Sequence, residues 1–238
     1  MDWPDVKRML DVQWDPENTP HHSIVGLTGS GKSYLAINGI LRPLCPMDRV
    51  LIIDCKRNDK LVASAGKPVT ELPPKTWVST RKREPFDHWF RLVVHDQFTD
   101  EGRGRAKLQV YKALHRVYLE GDWVVYCDEV QDLGGLRKPN LGLSMHLDEF
   151  YRKGRSRRLP VIAGTQAPRH VPSSFYDQAA FAWIGRLADE QKQDRLREIG
   201  GMPKAAMPTI TGLRRREWLL SCDNGESFLR TKVTESAA

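Results

Sequence analysis

The 238-residue sequence predicts an α/β domain: three layers around a mostly parallel central sheet, closed by a C-terminal β-hairpin. Three observations carry this. Short apolar or β-branched runs alternate with segments of helical periodicity over most of the chain. Two of the runs, Val50-Leu51-Ile52-Ile53 and Trp123-Val124-Val125-Tyr126, are continuously apolar, as strands buried on both faces are. Near the end, residues 218–221 and 227–230 flank Asp223-Asn224-Gly225, and Asn-Gly is a strong hairpin signal.

Taken in order, residues 1–22 read as a short helix over 5–12 and a Pro-bounded loop over 15–20; the main domain spans 23–233, and the tail from 234 frays. His21 and His22 stand just before the first strand with no third ligand near, which reads as a solvated loop end. A helix opening at Ser33 runs to about 41, where Pro43 and Pro46 stop it. The strand 50–54 follows, then an irregular stretch over 66–90 with a short strand at 77–79 and an exposed loop carrying Arg81-Lys82-Arg83. After a strand at 92–95, the glycines of 99–105 predict a mobile loop. Val110, Tyr111, Leu114, Val117 and Tyr118 then give the helix 106–120 one face for the sheet. Leu143, Leu147, Phe150 and Tyr151 mark another helix ending at Lys153, with Gly154 as its C′ residue. Strands at 159–163 and 181–185 and a polar helix over 189–199, stopped by Gly200-Gly201, complete the alternation.

The bulk composition narrows the partners. The net charge is +7 and the pI about 9.3, which suits an anionic partner such as nucleic acid and equally a solvated basic face. Four scattered cysteines without a C-x-x-C pair fit a reducing compartment and exclude a zinc ribbon. Early charges (Asp2, Asp5, Lys7, Arg8, Asp11) exclude a signal peptide, and no apolar run approaches the ~20 residues that span a bilayer. The expectation is a soluble, cytoplasmic protein.

The chemistry concentrates in two motifs. Gly26-Leu27-Thr28-Gly29-Ser30-Gly31-Lys32-Ser33 fits G-x-x-x-x-G-K-[ST] at every fixed position, between a β-branched run (23–25) and an opening helix. Such a loop aims backbone N–H groups and a helix dipole at phosphate. Lys32 reaches the β- and γ-phosphates, and the Ser33 hydroxyl ligates Mg²⁺. A nucleoside triphosphate is therefore the expected ligand. The second motif is Asp128-Glu129 at the tip of a buried strand. Two adjacent acids repel unless a cation sits beside them, so Asp128 suits Mg²⁺ and Glu129 suits the attacking water of a hydrolysis. Asp54, Lys56 and Gln166 fall at the same carboxyl edge of the strands, where ligands collect in open α/β sheets.

The order of phosphate loop, intervening strand and acidic strand with an extra Glu resembles the additional-strand, catalytic-glutamate branch of P-loop ATPases. Within it, Ile53-Asp54-Cys55-Lys56 is similar to the D-P-K of the FtsK/HerA superfamily, with Cys55 in place of Pro. Ala163-Gly164-Thr165-Gln166-Ala167-Pro168 is similar to that superfamily's strand ending in A-T-Q-x-P, with Gly164 inserted. Arg152-Lys153-Gly154-Arg155-Ser156-Arg157-Arg158 resembles the region that supplies its arginine finger to a neighbouring subunit. The resemblance covers roughly residues 20–185, and the small size looks most like the genome-packaging ATPases of membrane-containing, tectivirus-like phages. It implies an ATP- and Mg²⁺-dependent translocase of double-stranded DNA working as a ring of five or six copies. A capsid portal or vertex protein would be a further partner, with the host cytoplasm or the packaging vertex as its location. It further implies Gln166 as γ-phosphate sensor and Arg155 or Arg158, ahead of Arg152 and Arg157, as finger. Sequence-independent DNA contacts would come from Arg81, Lys82, Arg83, Arg103 and Arg105; for each basic cluster a solvated face is the competing reading. Three alternatives stand beside it: a Zot-like phage assembly ATPase, a superfamily 1-like helicase fragment suggested by Asp128-Glu129-Val130-Gln131-Asp132, and a nucleotide-binding scaffold without turnover.

Overall fold

The computed structural model describes residues 1–14, 20–74, 84–198, 201–222 and 227–234. The strand expected at 77–79, the Arg81–Arg83 cluster, the hairpin turn and the last four residues lie outside them.

Among the described residues, nine strands form one sheet in the order β3-β4-β2-β5-β6-β1-β7-β8-β9. They are β1 His21–Val25, β2 Arg49–Asp54, β3 Lys67–Val69, β4 Trp89–Val93, β5 Trp123–Cys127, β6 Val161–Thr165, β7 Ala179–Ile184, β8 Glu217–Cys222 and β9 Ser227–Lys232. The run from β3 to β7 pairs in parallel throughout. β8 and β9 are antiparallel, the expected C-terminal hairpin. Strand alternation explains the three layers. In β2, Val50 and Ile52 join a core with Trp3, Leu35, Ile40 and Trp183, whereas Leu51 and Ile53 join a second core with Val110, Leu114, Leu147 and Phe150. The first core lies beneath α1 (Trp3–Gln13) and the helix after β1; the second lies beneath α4 (Asp100–Glu120) and α6 (Ser144–Lys153).

Several boundaries differ from the sequence reading. The helix after β1 starts as α2 (Lys32–Tyr34), continues as a π-helical stretch Leu35–Leu41 and ends as Arg42–Leu44, so it passes Pro43. Within it the Arg42 N–H reaches back five residues to Ile37 O, and Gly39 admits Trp3, whose Cζ2 would lie 3.0 Å from a Cβ there. α3 (Lys60–Ser64) and α5 (Val130–Gly134) are short connectors. α4 begins at Asp100 instead of 106, because Thr99 caps it by accepting from Gly102 N–H at 3.0 Å and the first turn carries Asp100 and Glu101. Arg103 and Arg105 are thus helical, paired with Asp100 and Glu101. β3 was hidden by Pro68, which an edge strand tolerates. At the end of α6, Gly154 keeps a right-handed φ of −59°. Its glycine is needed for space, since a Cβ would run into Phe150 O and come 3.0 Å from Leu159 O.

The two histidines are the plainest correction. Both are fully buried inside β1. Val161 N–H donates to His21 Nδ1 at 3.0 Å, which leaves Nε2 to donate to Tyr151 O at 3.1 Å. Trp183 Nε1–H donates to His22 Nδ1 at 3.1 Å, and His22 packs on Phe181 at 4.7 Å. Burial pushes His21 down to about 4, against the Tyr151 hydrogen bond, and burial next to His21 pushes His22 down to about 3. Both are neutral in the fold.

The unfolded chain binds protons on these imidazoles below about pH 6.5, whereas the native chain refuses them down to the depressed values. Their contribution to stability is complete above pH 6.5 and is lost as pH falls toward 4, at up to about 1.4 kcal/mol per pH unit for each histidine. Urea unfolding between pH 7 and pH 4.5 should show this slope. His22→Gln, which keeps an acceptor for Trp183 and cannot titrate, should remove about half of the histidine part of it.

Candidate nucleotide site

The glycine loop connects β1 to α2 at the carboxyl edge of the sheet. Gly29 and Gly31 take φ of 78° and 101°, values that a side chain would strain. Gly26 N–H is fixed by Thr165 O at 3.1 Å, and Ser30 N–H returns to Leu27 O at 3.1 Å. Lys32, only 7% exposed, folds back so that Nζ donates to Gly26 O at 3.1 Å and lies 3.8 Å from Glu129 Oε1. Burial pulls the Lys32 ammonium down, and the neighbouring Glu129 and Asp128 charges oppose that pull.

Two tips of neighbouring strands face this loop. β5 ends in Asp128 and Glu129, both buried. Asp128 Oδ1 accepts from Ser33 Oγ at 3.0 Å and from the buried Tyr126 hydroxyl at 2.8 Å. Glu129 has no exposed side-chain surface; it pairs with Lys56 and Lys32 and accepts from Gln131 Nε2 and, at 3.4 Å, from Gln166 N–H. Burial of Lys56 would lower its ammonium, but its hydrogen bond to Glu129 and the charges of Glu129 and Asp128 outweigh this and raise it. β6 ends at Thr165, whose hydroxyl donates to Gln131 Oε1 at 2.7 Å and accepts from Ala167 N–H at 3.0 Å. Thr28 of the loop donates to the Gln166 side chain.

In the sheet it is β6 that separates the loop strand from the acidic strand, although in sequence β2, β3 and β4 lie between them. The inserted Gly164 has a spatial reason. It lies against the turn out of β5, where a Cβ would come 2.6 Å from Asp128 O. Gly164→Ala should therefore displace Asp128 and lower stability by about 1–3 kcal/mol, as overpacking does; equilibrium urea unfolding measures it.

A cleft beside the glycine loop and Asp128 has a volume of about 430 Å³, and its lining includes Lys32, Ser33, Lys56, Asp59, Asp128 and Arg216. Asp59 was not singled out in the sequence. It caps α3 by accepting from Leu61 N–H at 2.9 Å, while its other oxygen stands 2.6 Å from Ser33 Oγ and competes with Asp128 for the single hydroxyl proton. An N-cap pattern was its only signal. Arg216 and Tyr34 were also missed; they are distant in sequence and meet at the outer end of the cleft. Asp54, by contrast, turns to the sheet edge, accepting from Arg91 at 2.7 Å and from Arg57 N–H at 2.8 Å.

Among the described residues no group of three or more His, Cys, Asp or Glu is placed to hold a metal. Ser33, Asp59 and Asp128 offer one hydroxyl and two carboxylates, each carboxylate within hydrogen-bond distance of the hydroxyl. That hard-oxygen set fits Mg²⁺, which shares its shell with phosphate and water and needs no all-protein cage.

The basic segment before β6 does not join the site. Arg155–Arg157 is a 3-10 turn, and Arg158, at φ 51°, pairs with Asp122 at 2.5 Å. Asp122 immediately precedes β5, so Arg155 and Arg158 lie at the amino edge of the sheet, opposite the loop. Both are exposed.

No protein-family model matches the chain, and no curated protein matches it in sequence. Solved structures do match. The genome packaging NTPase B204 of Sulfolobus turreted icosahedral virus 2, in complex with ATP-gammaS, is 19% identical with a TM-score of 0.64, over 92% of this chain and 98% of that one. VirB4 of Thermoanaerobacter pseudethanolicus is 12% identical with a TM-score of 0.67, over 91% and 90%. The pCW3 conjugation coupling protein TcpA with ATPgS is 14% identical with a TM-score of 0.54, over 92% of this chain and 61% of that one. These likenesses show that the chain shares its α/β fold with these proteins.

Proposed function

We propose that this chain hydrolyses ATP and uses the energy to move double-stranded DNA, as one subunit of a viral genome-packaging ring. The observation that carries the proposal is one set of contacts: Lys32 and Ser33 of the glycine loop touch Glu129 and Asp128, Gln166 touches both Glu129 and Thr28, and Lys32, Ser33 and Asp128 line one cleft. A nucleotide-bound packaging NTPase of the same fold and nearly the same length supports it.

In this reading the amides of 26–33 and the Lys32 ammonium hold the β- and γ-phosphates. Ser33 and Asp128 would hold Mg²⁺, which when bound supplies charge neutralisation to the phosphates. The Glu129 carboxylate takes the proton from the attacking water. Gln166, tied to the loop through Thr28 and to Glu129 through its backbone, orients against the γ-phosphate. Arg155 and Arg158 cannot reach their own chain's cleft, so a finger from this segment acts on a neighbour. That requires a head-to-tail contact between one subunit's amino edge and the next one's cleft, and a ring forms when the rotation between successive subunits closes. Arg103 and Arg105, with the cluster at 81–83, would grip DNA phosphates. A capsid portal or vertex protein would dock the ring.

Lys32→Ala should abolish ATP turnover, and Glu129→Gln should lower it at least about 100-fold while nucleotide binding persists. Duplex DNA should stimulate turnover by the wild type; turnover indifferent to duplex would favour an assembly ATPase or switch. For the finger, a residue acting in trans is worth about 10³-fold or more in turnover. Arg155→Ala or Arg158→Ala should lose that much, and mixing it with Lys32→Ala should restore activity, because each inactive chain supplies what the other lacks.

A further inference from the structure

We infer that Tyr34 and Arg216 form a stacking platform for the nucleobase, so that this part of the cleft holds a base by its π-face. The inference rests on the ATPase reading and names the part of the ligand which that reading leaves without a partner.

The phosphate end of the cleft is fixed by the loop and by the first turn of α2. A nucleotide whose terminal phosphates meet Lys32 and Ser33 extends its sugar and base outward, past the residue that follows Ser33. That residue is Tyr34, half-buried and lining the cleft. The Arg216 guanidinium lies over its ring, 3.9 Å from the centroid, and lines the same cleft. A planar guanidinium stacks on aromatic faces as a point-charge ammonium does not. Bases bind such surfaces through their π-systems and through the cation.

The backbone around Arg216 is constrained in a way that its place at the start of a hairpin does not require. Arg216 adopts φ 62°, the left-handed region that a non-glycine side chain disfavours. It is held there from both sides: its N–H donates to Ser30 O of the phosphate loop at 2.9 Å, and its carbonyl accepts from Val233 N–H at 3.0 Å. Gly31 leaves room for the side chain, since a Cβ there would come 3.1 Å from Arg216 Cγ. The hairpin β8-β9 is thereby tied to the loop, and the guanidinium is set over Tyr34 in advance. Strain kept at a ligand cleft is what a preorganised contact requires. Stacking reads no Watson–Crick edge, so ATP and GTP should bind within about tenfold of each other.

The test is calorimetric titration of two Mg²⁺-loaded probes, a non-hydrolysable ATP analogue and inorganic tripolyphosphate. The proteins are the wild type, Arg216→Gly and Tyr34→Leu. Glycine at 216 relieves the left-handed strain, so that variant should melt no lower than the wild type. The platform predicts that each substitution weakens the ATP analogue about 5- to 100-fold, the worth of one stacked base, and leaves tripolyphosphate unchanged. Equal losses for both probes would overturn it in favour of a phosphate contact by Arg216, and unchanged affinity for both would overturn it outright. A wild-type chain that binds neither probe would instead defeat the ATPase reading, and the platform with it.

Discussion

The constraint on which the candidate site depends is the burial of the Glu129 carboxylate. A carboxylate with no exposed surface is tolerated only if its charge and lone pairs are met, because an uncompensated buried ion costs several kcal/mol. Lys32 and Lys56 meet the charge; Gln131 and the backbone of Gln166 meet the remaining acceptor capacity. Each partner comes from a different element: the glycine loop, the turn after β2, α5 and the turn after β6. Satisfying one carboxylate therefore fixes the mutual positions of four elements at the sheet's carboxyl edge. The next acid along, Asp132, feels the same cluster: burial first, and then the Glu129 charge, push it up to about 6.

Sheet order explains how those elements come together. With β6 between β1 and β5, the residues after β6 fall between the phosphate loop and the paired acids, and Thr165 and Gln166 touch both sides. The buried, continuously apolar strands make this possible, since only a sheet covered on both faces can carry seven parallel strands. The two edges of that sheet differ in character. The carboxyl edge holds the cleft; the amino edge presents exposed Arg155 and Arg158.

Much of this was legible in the chain because local chemistry and global fold agree. The phosphate loop, the acidic strand tip and the strand leading to Gln166 each combine an apolar run with residues whose spacing has one chemical use. What was hidden has physical reasons. His21 and His22 read as solvent-facing because imidazoles usually are, and only the parallel pairing of β1 with β6 and β7 buries them. The early start of α4 was masked by Gly102 and Gly104, which look like loop residues, although Thr99 caps the helix. Gly154 and Gly164 serve close packing against carbonyls, which no local pattern announces. Asp59, Tyr34 and Arg216 reach the cleft only through tertiary contact, and the last two lie 182 residues apart in the chain.

Hydrogen exchange with and without a Mg²⁺-loaded, non-hydrolysable ATP analogue tests the shared cleft most directly. One ligand held jointly by the loop and both strand tips should slow exchange together in the segments 26–33, 128–131 and 165–167. Protection confined to 26–33, with the other two segments unchanged, would mean that the paired acids and Gln166 do not serve the nucleotide, and would contradict the site as a hydrolytic centre.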